Sequence, residues 1–292
     1  MASSTVMIIG FGKVARWVVD RLKTTDKKIT ALMRDTTQSD SLRSVGIDVI
    51  HADLNVPDSL KALDVNDREV YFFAPPSRSD DSDHHMRNFL AAIKRQAPRK
   101  ILYISTTAVY GNSHGDWVTE SAPTVPTTAR GLRRLDAEQQ LQIYAAEKNI
   151  PFVILRVGGI YGPDRLPLRQ LESGRPVLND EDSGYTNRIH ADDLAGICVT
   201  AMEKGEGIYN VSDGKAGTMA EYFIALAEAL GYPIPDRISL EQAREIMSPE
   251  MMSYLEESRR LDVSRLLDEL GVVLRYPDLA SGVRSIVESR NN

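Results

Sequence analysis

An apolar run, Val6-Met7-Ile8-Ile9, breaks at Gly10-Phe11-Gly12-Lys13-Val14-Ala15, and this stretch constrains the fold more than any other. Apolar and basic positions then recur at helical spacing, at Val14, Trp17, Val18, Arg21 and Leu22, before a second apolar run, 29–33, closes at Arg34-Asp35. That succession predicts a strand, a tight turn, an amphipathic helix and a second strand. Gly10 permits the sharp exit from the strand, Gly12 leaves the backbone open to close approach, and Ala15 lets the helix lie near the sheet. The helix N-terminus offers free N–H groups and a positive dipole end to an anion. Between its two strands, the G-x-G-x-x-A pattern predicts a dinucleotide with its pyrophosphate over Gly10–Val14. The competing reading is a glycine turn that binds nothing.

The rest of the chain repeats the strand-and-helix rhythm. Apolar runs at 47–50, 69–74, 100–105 and 151–156 read as strands. A helix is expected over 84–97, capped by the acids at 80–83, and a long one over 129–148. A further helical segment is expected to start at Pro57, and 111–128 reads as loop. Alternation with short links predicts an α/β fold, a doubly wound parallel sheet with a ligand at the carboxyl ends of its strands. Beyond Arg156 the rhythm changes. Residues 158–163 read as loop, 166–172 as a short helix, the stretch from 191 through 202 as an apolar helix, 207–211 as a strand and 218–230 as a helix. Short helices and turns follow, and the Met-rich 246–255 reads as local core. The division expected is a dinucleotide-binding domain over 1–156 and a small C-terminal substrate lobe over 157–292, with about 187–215 returning to the first.

Composition narrows the function classes. The 292 residues carry a formal net charge of −6, which argues against nucleic acid or an anionic membrane as the main partner. No apolar run reaches membrane-spanning length. Cys198 is the single cysteine, so no internal disulfide can form, in keeping with a reducing cytoplasm. Met1-Ala2-Ser3-Ser4 passes directly into the first strand, so no signal peptide is expected. The adjacent His84 and His85 point to different sides of a helix, so no metal is expected.

Several later segments resemble the extended short-chain dehydrogenases/reductases, grouped with the NAD-dependent epimerases and dehydratases. Ser105-Thr106-Thr107-Ala108-Val109-Tyr110-Gly111 resembles the family's fifth-strand exit, and Leu155–Pro163 its sixth-strand exit. Ile189-His190-Ala191-Asp192-Asp193-Leu194-Ala195, Tyr209–Gly214 and Leu270-Gly271 match later landmarks in order. The resemblance implies a Rossmann-type domain, a bound NAD or NADP, and a homodimer through the helices near 84–97 and 129–148. By the same resemblance Asp53-Leu54 face the adenine, and Ala74-Pro75 pass the pyrophosphate and ribose.

Two departures stand out. The family spaces its glycines as G-x-x-G-x-x-G, whereas this chain reads G-x-G-x-x-A. The family's catalytic Tyr-x-x-x-Lys is followed four residues later by a Glu; with Glu138 as that Glu, the Lys position holds Arg134 and the Tyr position Arg130. Arginine neither gives nor takes a proton near neutrality, but it binds carboxylates, phosphates and oxyanions. Thr106 matches the family's substrate-orienting Ser/Thr. Thr107 and Ala108 stand where sugar dehydratases carry an acid pair.

Three routes stay open. Tyr110 or Tyr161 supplies the proton, a water on Thr106 does so, or no proton chemistry occurs. Arg130, Arg133 and Arg134 equally fit a solvated basic stripe neutralised by Asp136 and Glu138. Arg34 ahead of Asp35 favours NADP over NAD, because an Arg there suits a 2′-phosphate and an acid a 2′-hydroxyl. Asn187, Arg188 and Arg165 fall in the substrate lobe, where an Arg could hold an anion or simply face solvent; His190 is expected to support the fold. The leading expectation is an NAD(P)-dependent oxidoreductase or epimerase-like enzyme of atypical mechanism, acting at a hydroxyl or carbonyl carbon of a small molecule, with a sugar or nucleotide sugar as one candidate. The alternatives are a non-catalytic dinucleotide sensor and a structural remnant without cofactor affinity.

Overall fold

The computed structural model describes residues 5–291; the 1–4 segment read above lies outside them. Seven strands form a parallel sheet: β1 (Thr5–Ile9), β2 (Lys28–Met33), β3 (Ile47–His51), β4 (Glu69–Phe72), β5 (Lys100–Thr106), β6 (Phe152–Val157) and β7 (Gly207–Val211). Their spatial order is β7-β6-β5-β4-β1-β2-β3. The chain winds outward from β1 to β3, then crosses back to lay β4 on the other side of β1. That reversal opens a crevice at the carboxyl ends of β1 and β4, the position where doubly wound sheets take their ligands.

The helices sit where the apolar spacing put them. Helix α1 (Lys13–Leu22) buries Ala15, Val18, Val19 and Leu22. Helices α2 (His84–Ala92) and α3 (Ala129–Lys148) cover a core that includes Met7, Ile9, Phe72, Phe89, Tyr103, Leu141 and Ile154. The rings of Phe72 and Phe89 meet edge-on at 5.2 Å, the geometry their quadrupoles favour. Helix α4 (Ala191–Lys204) carries Cys198, wholly buried, and burial pushes its thiol pKa far up. It is an inert core residue.

Some expected boundaries shift, each for a visible reason. Helix α2 stops at Ala92 rather than 97. Ile93 leaves helical geometry, and the Gln96 side chain instead holds Val65 N at 2.6 Å and Leu63 O at 2.7 Å. The helix expected from Pro57 is a single tight turn, Pro57–Leu60. The stretch 158–163 contains a strand, Gly159–Tyr161, paired in parallel with Arg188–His190. Likewise Trp117–Val118, within the expected loop, pairs with Arg260–Leu261. Both partners are remote in sequence, so local patterning carries no trace of them. The C-terminal region ends in a 13-residue helix, Leu279–Asn291.

The chain forms two compact units. The first comprises residues up to 109, 129–156 and 195–209; the second comprises 110–128, 157–194 and 210–292. The 110–128 stretch therefore groups with the second unit rather than the first, and the segment returning to the first is 195–209. In the second unit, helix α5 (Met219–Leu230) carries a full capping box between Thr218 and Glu221. It packs with the C-terminal helix around Tyr161, Tyr222, Leu226 and Ile286. Among the described residues no helix is long and apolar enough to cross a membrane.

Candidate functional site

The first unit builds its site on the exit of β1. Gly10 has φ +87°, and a Cβ placed there would lie 2.7 Å from both the Cα and the N of Ala74. The two strand exits are laced together: Gly10 N donates to Leu32 O at 3.0 Å, and Ala74 N to Ile9 O at 2.9 Å. Only glycine fits this crossing in that conformation. Gly12 is the opposite case. It is extended at φ −99° and a Cβ there would meet nothing within 4 Å. It heads α1 without a side-chain cap, and the first turn holds no acid. The result is a cradle of backbone N–H groups with open space before it and a positive dipole end, complementary to a pyrophosphate.

Around the cradle stand the other expected cofactor contacts. Phe11 and Lys13 are half-exposed and exposed, and Val14 is half-buried. Ala74 is buried, and Pro75 is exposed. Arg34 is exposed at the end of β2, whereas the Asp35 carboxylate is engaged locally, accepting from Thr37 N at 2.9 Å, which lowers its pKa. Asp53 is likewise committed: its Oδ1 accepts from the Asn55 backbone at 2.9 Å and the Asn55 amide at 3.0 Å, and these bonds hold its pKa down. Leu54 is buried. His85, set aside above as a metal ligand, ties these loops together. Its Nδ1 donates to Pro75 O at 2.8 Å, and Nε2 lies 3.0 Å from Asn55 Oδ1. His84 pairs with Asp80 at 2.9 Å.

The arginines on α3 do not form a solvated stripe. Arg134 donates from Nη1 to Tyr103 OH at 3.0 Å and to Ile104 O at 2.7 Å. Its guanidinium therefore reaches the carboxyl end of β5, whose last residue is Thr106. Arg133 donates to Asp80 O at 3.0 Å. Arg130 is half-buried one turn before Arg134. Glu138 does not neutralise them either. It is fully buried, takes a forked contact from Arg156 (2.7 Å at the closest) and accepts from Ser105 Oγ. This trio bolts α3 to β5 and β6. Sequence reading singled out Glu138 but missed its partner, although Arg156 sits at the end of a matched segment.

The tyrosines expected as proton donors are occupied elsewhere. In the second unit, Tyr110 is 3% exposed and donates to Asn210 Oδ1 at 2.7 Å. Asn210 also donates to Val118 O and Asp262 O, so this is a closed structural network. Tyr161 is 1% exposed, wedged against Gly282, with burial raising its pKa far above the ordinary value. A hydroxyl so placed cannot exchange protons with a substrate near neutrality. Asn187 and Arg188 are also buried. Asn187 bridges Arg259 O and Leu261 N, and Arg188 bonds Thr186 and Thr218 and lies over the Tyr222 ring at 4.9 Å. His190 packs against Tyr276 and Tyr161 and meets Ser285 Oγ at 3.1 Å, and burial lowers its pKa. No sequence signal distinguished these buried polar groups from exposed ones. Asp213, not singled out above, is buried and its pKa is pushed up to about 6 by desolvation.

Residues 6–212 match the NAD dependent epimerase/dehydratase family. The chain belongs to that family. It is 27% identical over 225 residues to UDP-glucose 4-epimerase of Azospirillum brasilense, covering 67% of this chain and 62% of that protein. It is 30% identical over 122 residues to human dTDP-D-glucose 4,6-dehydratase, covering 38% and 35%. The chain thus spans less than two thirds of the length of these relatives. Among solved structures, a conserved protein of unknown function from Silicibacter pomeroyi is 30% identical with a TM-score of 0.82, covering 98% of this chain and 99% of that one. The UDP-glucose 4-epimerase of Thermus thermophilus in complex with NAD is 22% identical with a TM-score of 0.78, covering 99% of each; the likeness is of fold.

Proposed function

We propose that the protein is an NAD(P)-dependent oxidoreductase or epimerase-like enzyme acting at a carbon that bears a hydroxyl or carbonyl group. The observation that carries this reading is the crossing of Gly10 over Ala74 beside the uncapped, acid-free N-terminus of α1. When bound, the nicotinamide accepts or returns a hydride. Gly10–Val14 hold the pyrophosphate, Leu54 and Asp53 border the adenine, and Ala74-Pro75 border the ribose.

NADP is the preferred form in this reading. Asp35 is spent on its own turn, while the Arg34 guanidinium beside it is exposed to meet a 2′-phosphate. On the substrate side, Thr106 and Arg130 act directly, with Arg134 as a positioning residue anchored on β5. Arg130 stabilises a developing oxyanion by charge. Because both tyrosine hydroxyls are buried and engaged, a water held by Thr106 carries the proton. Substrate turnover at a purified protein, followed by nicotinamide absorbance, is the direct test; titration of NADPH and NADH by fluorescence precedes it. Absence of saturable binding of either cofactor overturns the reading.

A second reading has an observation of its own. The Tyr and Lys positions are both arginine, and Tyr110 and Tyr161 are buried and engaged, which fits a dinucleotide sensor that performs no chemistry. Tight cofactor binding with no turnover across hydroxy and keto compounds separates it from the first.

A further inference from the structure

The second unit contains a mainly apolar cavity that opens in part to solvent. Its floor is the short strand Val177–Leu178 and one side is α5, through Phe223. The opposite side is closed by Met247 and by the helix Pro249–Leu255, which turns Met251 and Leu255 toward the cavity. Met251 and Leu255 are one helical turn apart, and Met252 lies in a core with Leu178 and Ala243 against which Met247 and Leu255 also pack. The Met-rich stretch that reads as local core from sequence is therefore both core and cavity wall.

Two hydroxyls at this cavity are already used. Ser183 Oγ donates to Asn179 O at 2.8 Å. Thr186 Oγ1 donates to Gly217 O at 3.0 Å and accepts from Arg188 at 2.8 Å. Neither hydroxyl proton is left for a ligand. A nucleobase seated here would lose its hydrogen bonds to water and gain few in return, at a cost that opposes binding. An apolar group meets the opposite balance, and methionines adapt to its shape. At the rim, Arg175 is exposed, and its guanidinium has no acidic partner among the described residues.

We propose that this cavity seats the apolar part of a small carboxylate, a short acyl chain or aryl group, with the carboxylate on Arg175. The inference rests on the reading of the protein as an NAD(P)-dependent enzyme and gives its substrate a chemical class: an apolar hydroxy or oxo acid rather than a nucleotide sugar.

The test is calorimetric titration of the full chain with butanoate, hexanoate and octanoate, and with uridine diphosphate for comparison. Affinity should rise about fourfold per added methylene until the cavity is filled, from about 0.8 kcal/mol per buried CH₂. Met251→Asp should abolish the chain-length gradient, whereas Met251→Leu retains it. Arg175→Gln should weaken all three acids by a common factor and leave the gradient intact. Thermal melting of each variant separates loss of binding from loss of fold. A flat chain-length series, or uridine diphosphate binding that Met251→Asp removes, overturns the inference while cofactor binding stands. Failure of NADPH and NADH to bind, with the gradient present, instead overturns the enzymatic reading and leaves the cavity assigned.

Discussion

The two glycines of the first turn should fail in opposite ways when each is changed to alanine. At Gly10 the φ of +87° imposes left-handed geometry, which costs a residue with a Cβ about 1–2 kcal/mol. The added methyl would also stand 2.7 Å from the Ala74 backbone, against an optimum near about 3.5–4.0 Å, so the exit of β4 must move by about an ångström. Overpacking of this kind adds about 1–3 kcal/mol. Gly10→Ala should therefore destabilise the chain by about 2–5 kcal/mol and lower its melting temperature by at least about 4 °C. At Gly12 the backbone is extended and a Cβ meets nothing, so Gly12→Ala should cost about 1 kcal/mol or less as a poorer N-cap. The methyl would, however, stand in the space before the free N–H groups of α1. NADPH affinity should fall by tenfold or more in a protein that melts almost normally. Differential scanning fluorimetry and NADPH fluorescence titration read the two effects separately. Unchanged melting in Gly10→Ala would refute the crossing argument. Unchanged NADPH affinity in Gly12→Ala would refute the placement of the pyrophosphate.

Three further changes probe the rest of the molecule. Asp213 has a folded pKa of about 6 against 3.8, so ionising it in place opposes folding as pH rises through 6. Asp213→Asn should gain about 2–2.5 kcal/mol relative to the parent on going from pH 4 to pH 8, since each tenfold change in an acidity constant on folding is worth about 1.4 kcal/mol and the unfolded carboxyl is already half ionised at pH 4; urea unfolding at the two pH values measures it, and a pH-independent difference contradicts the burial. Glu138→Ala strips the buried Arg156 guanidinium of its carboxylate and Ser105 of its acceptor, and should cost about 3–5 kcal/mol in denaturant unfolding; a loss below about 1 kcal/mol would mean that the trio does not bolt α3 to the sheet. Arg34→Asp should weaken NADPH by about tenfold or more while sparing NADH, since a charged hydrogen bond is worth about 1.5–3 kcal/mol; an equal effect on both cofactors would remove the 2′-phosphate from Arg34.

What the sequence discloses and what it hides divide along a physical line. The strand–turn–helix at Gly10, the seven strands and the span of α3 all follow from apolar spacing and glycine placement, which are local properties. The capping box at Thr218 and the cap at Asp83 are local too. The pairings of Gly159–Tyr161 and Trp117–Val118 depend on partners far along the chain, and nothing in either segment announces them. Burial of polar side chains is hidden for the same reason. Tyr110 and Tyr161 sit within matched family segments and carry the right group for acid–base chemistry, yet Asn210 in one case and the helix at Gly282 in the other take them out of service.

The arginines on α3 show why that distinction bears on mechanism. Three cations fall within the first two turns of a helix whose first turn holds no acid, against the macrodipole. A solvated surface stripe would gain nothing from such a position. Arg133 and Arg134 offset the dipole by donating to the carbonyls of Asp80 and Ile104, and Arg134 thereby reaches the strand that ends at Thr106. Arg130, one turn nearer the N-terminus, adds a fixed positive charge at the position that the family resemblance implies for a tyrosine. A guanidinium there exchanges the ability to move a proton for the ability to hold an anion. On the proposed reading, chemistry at this site would depend on a charge-stabilised oxyanion and a water-borne proton. It should have a pH dependence set by the substrate and the water rather than by a tyrosine, and Arg130→Tyr with Arg134→Lys is the exchange that would convert one regime into the other.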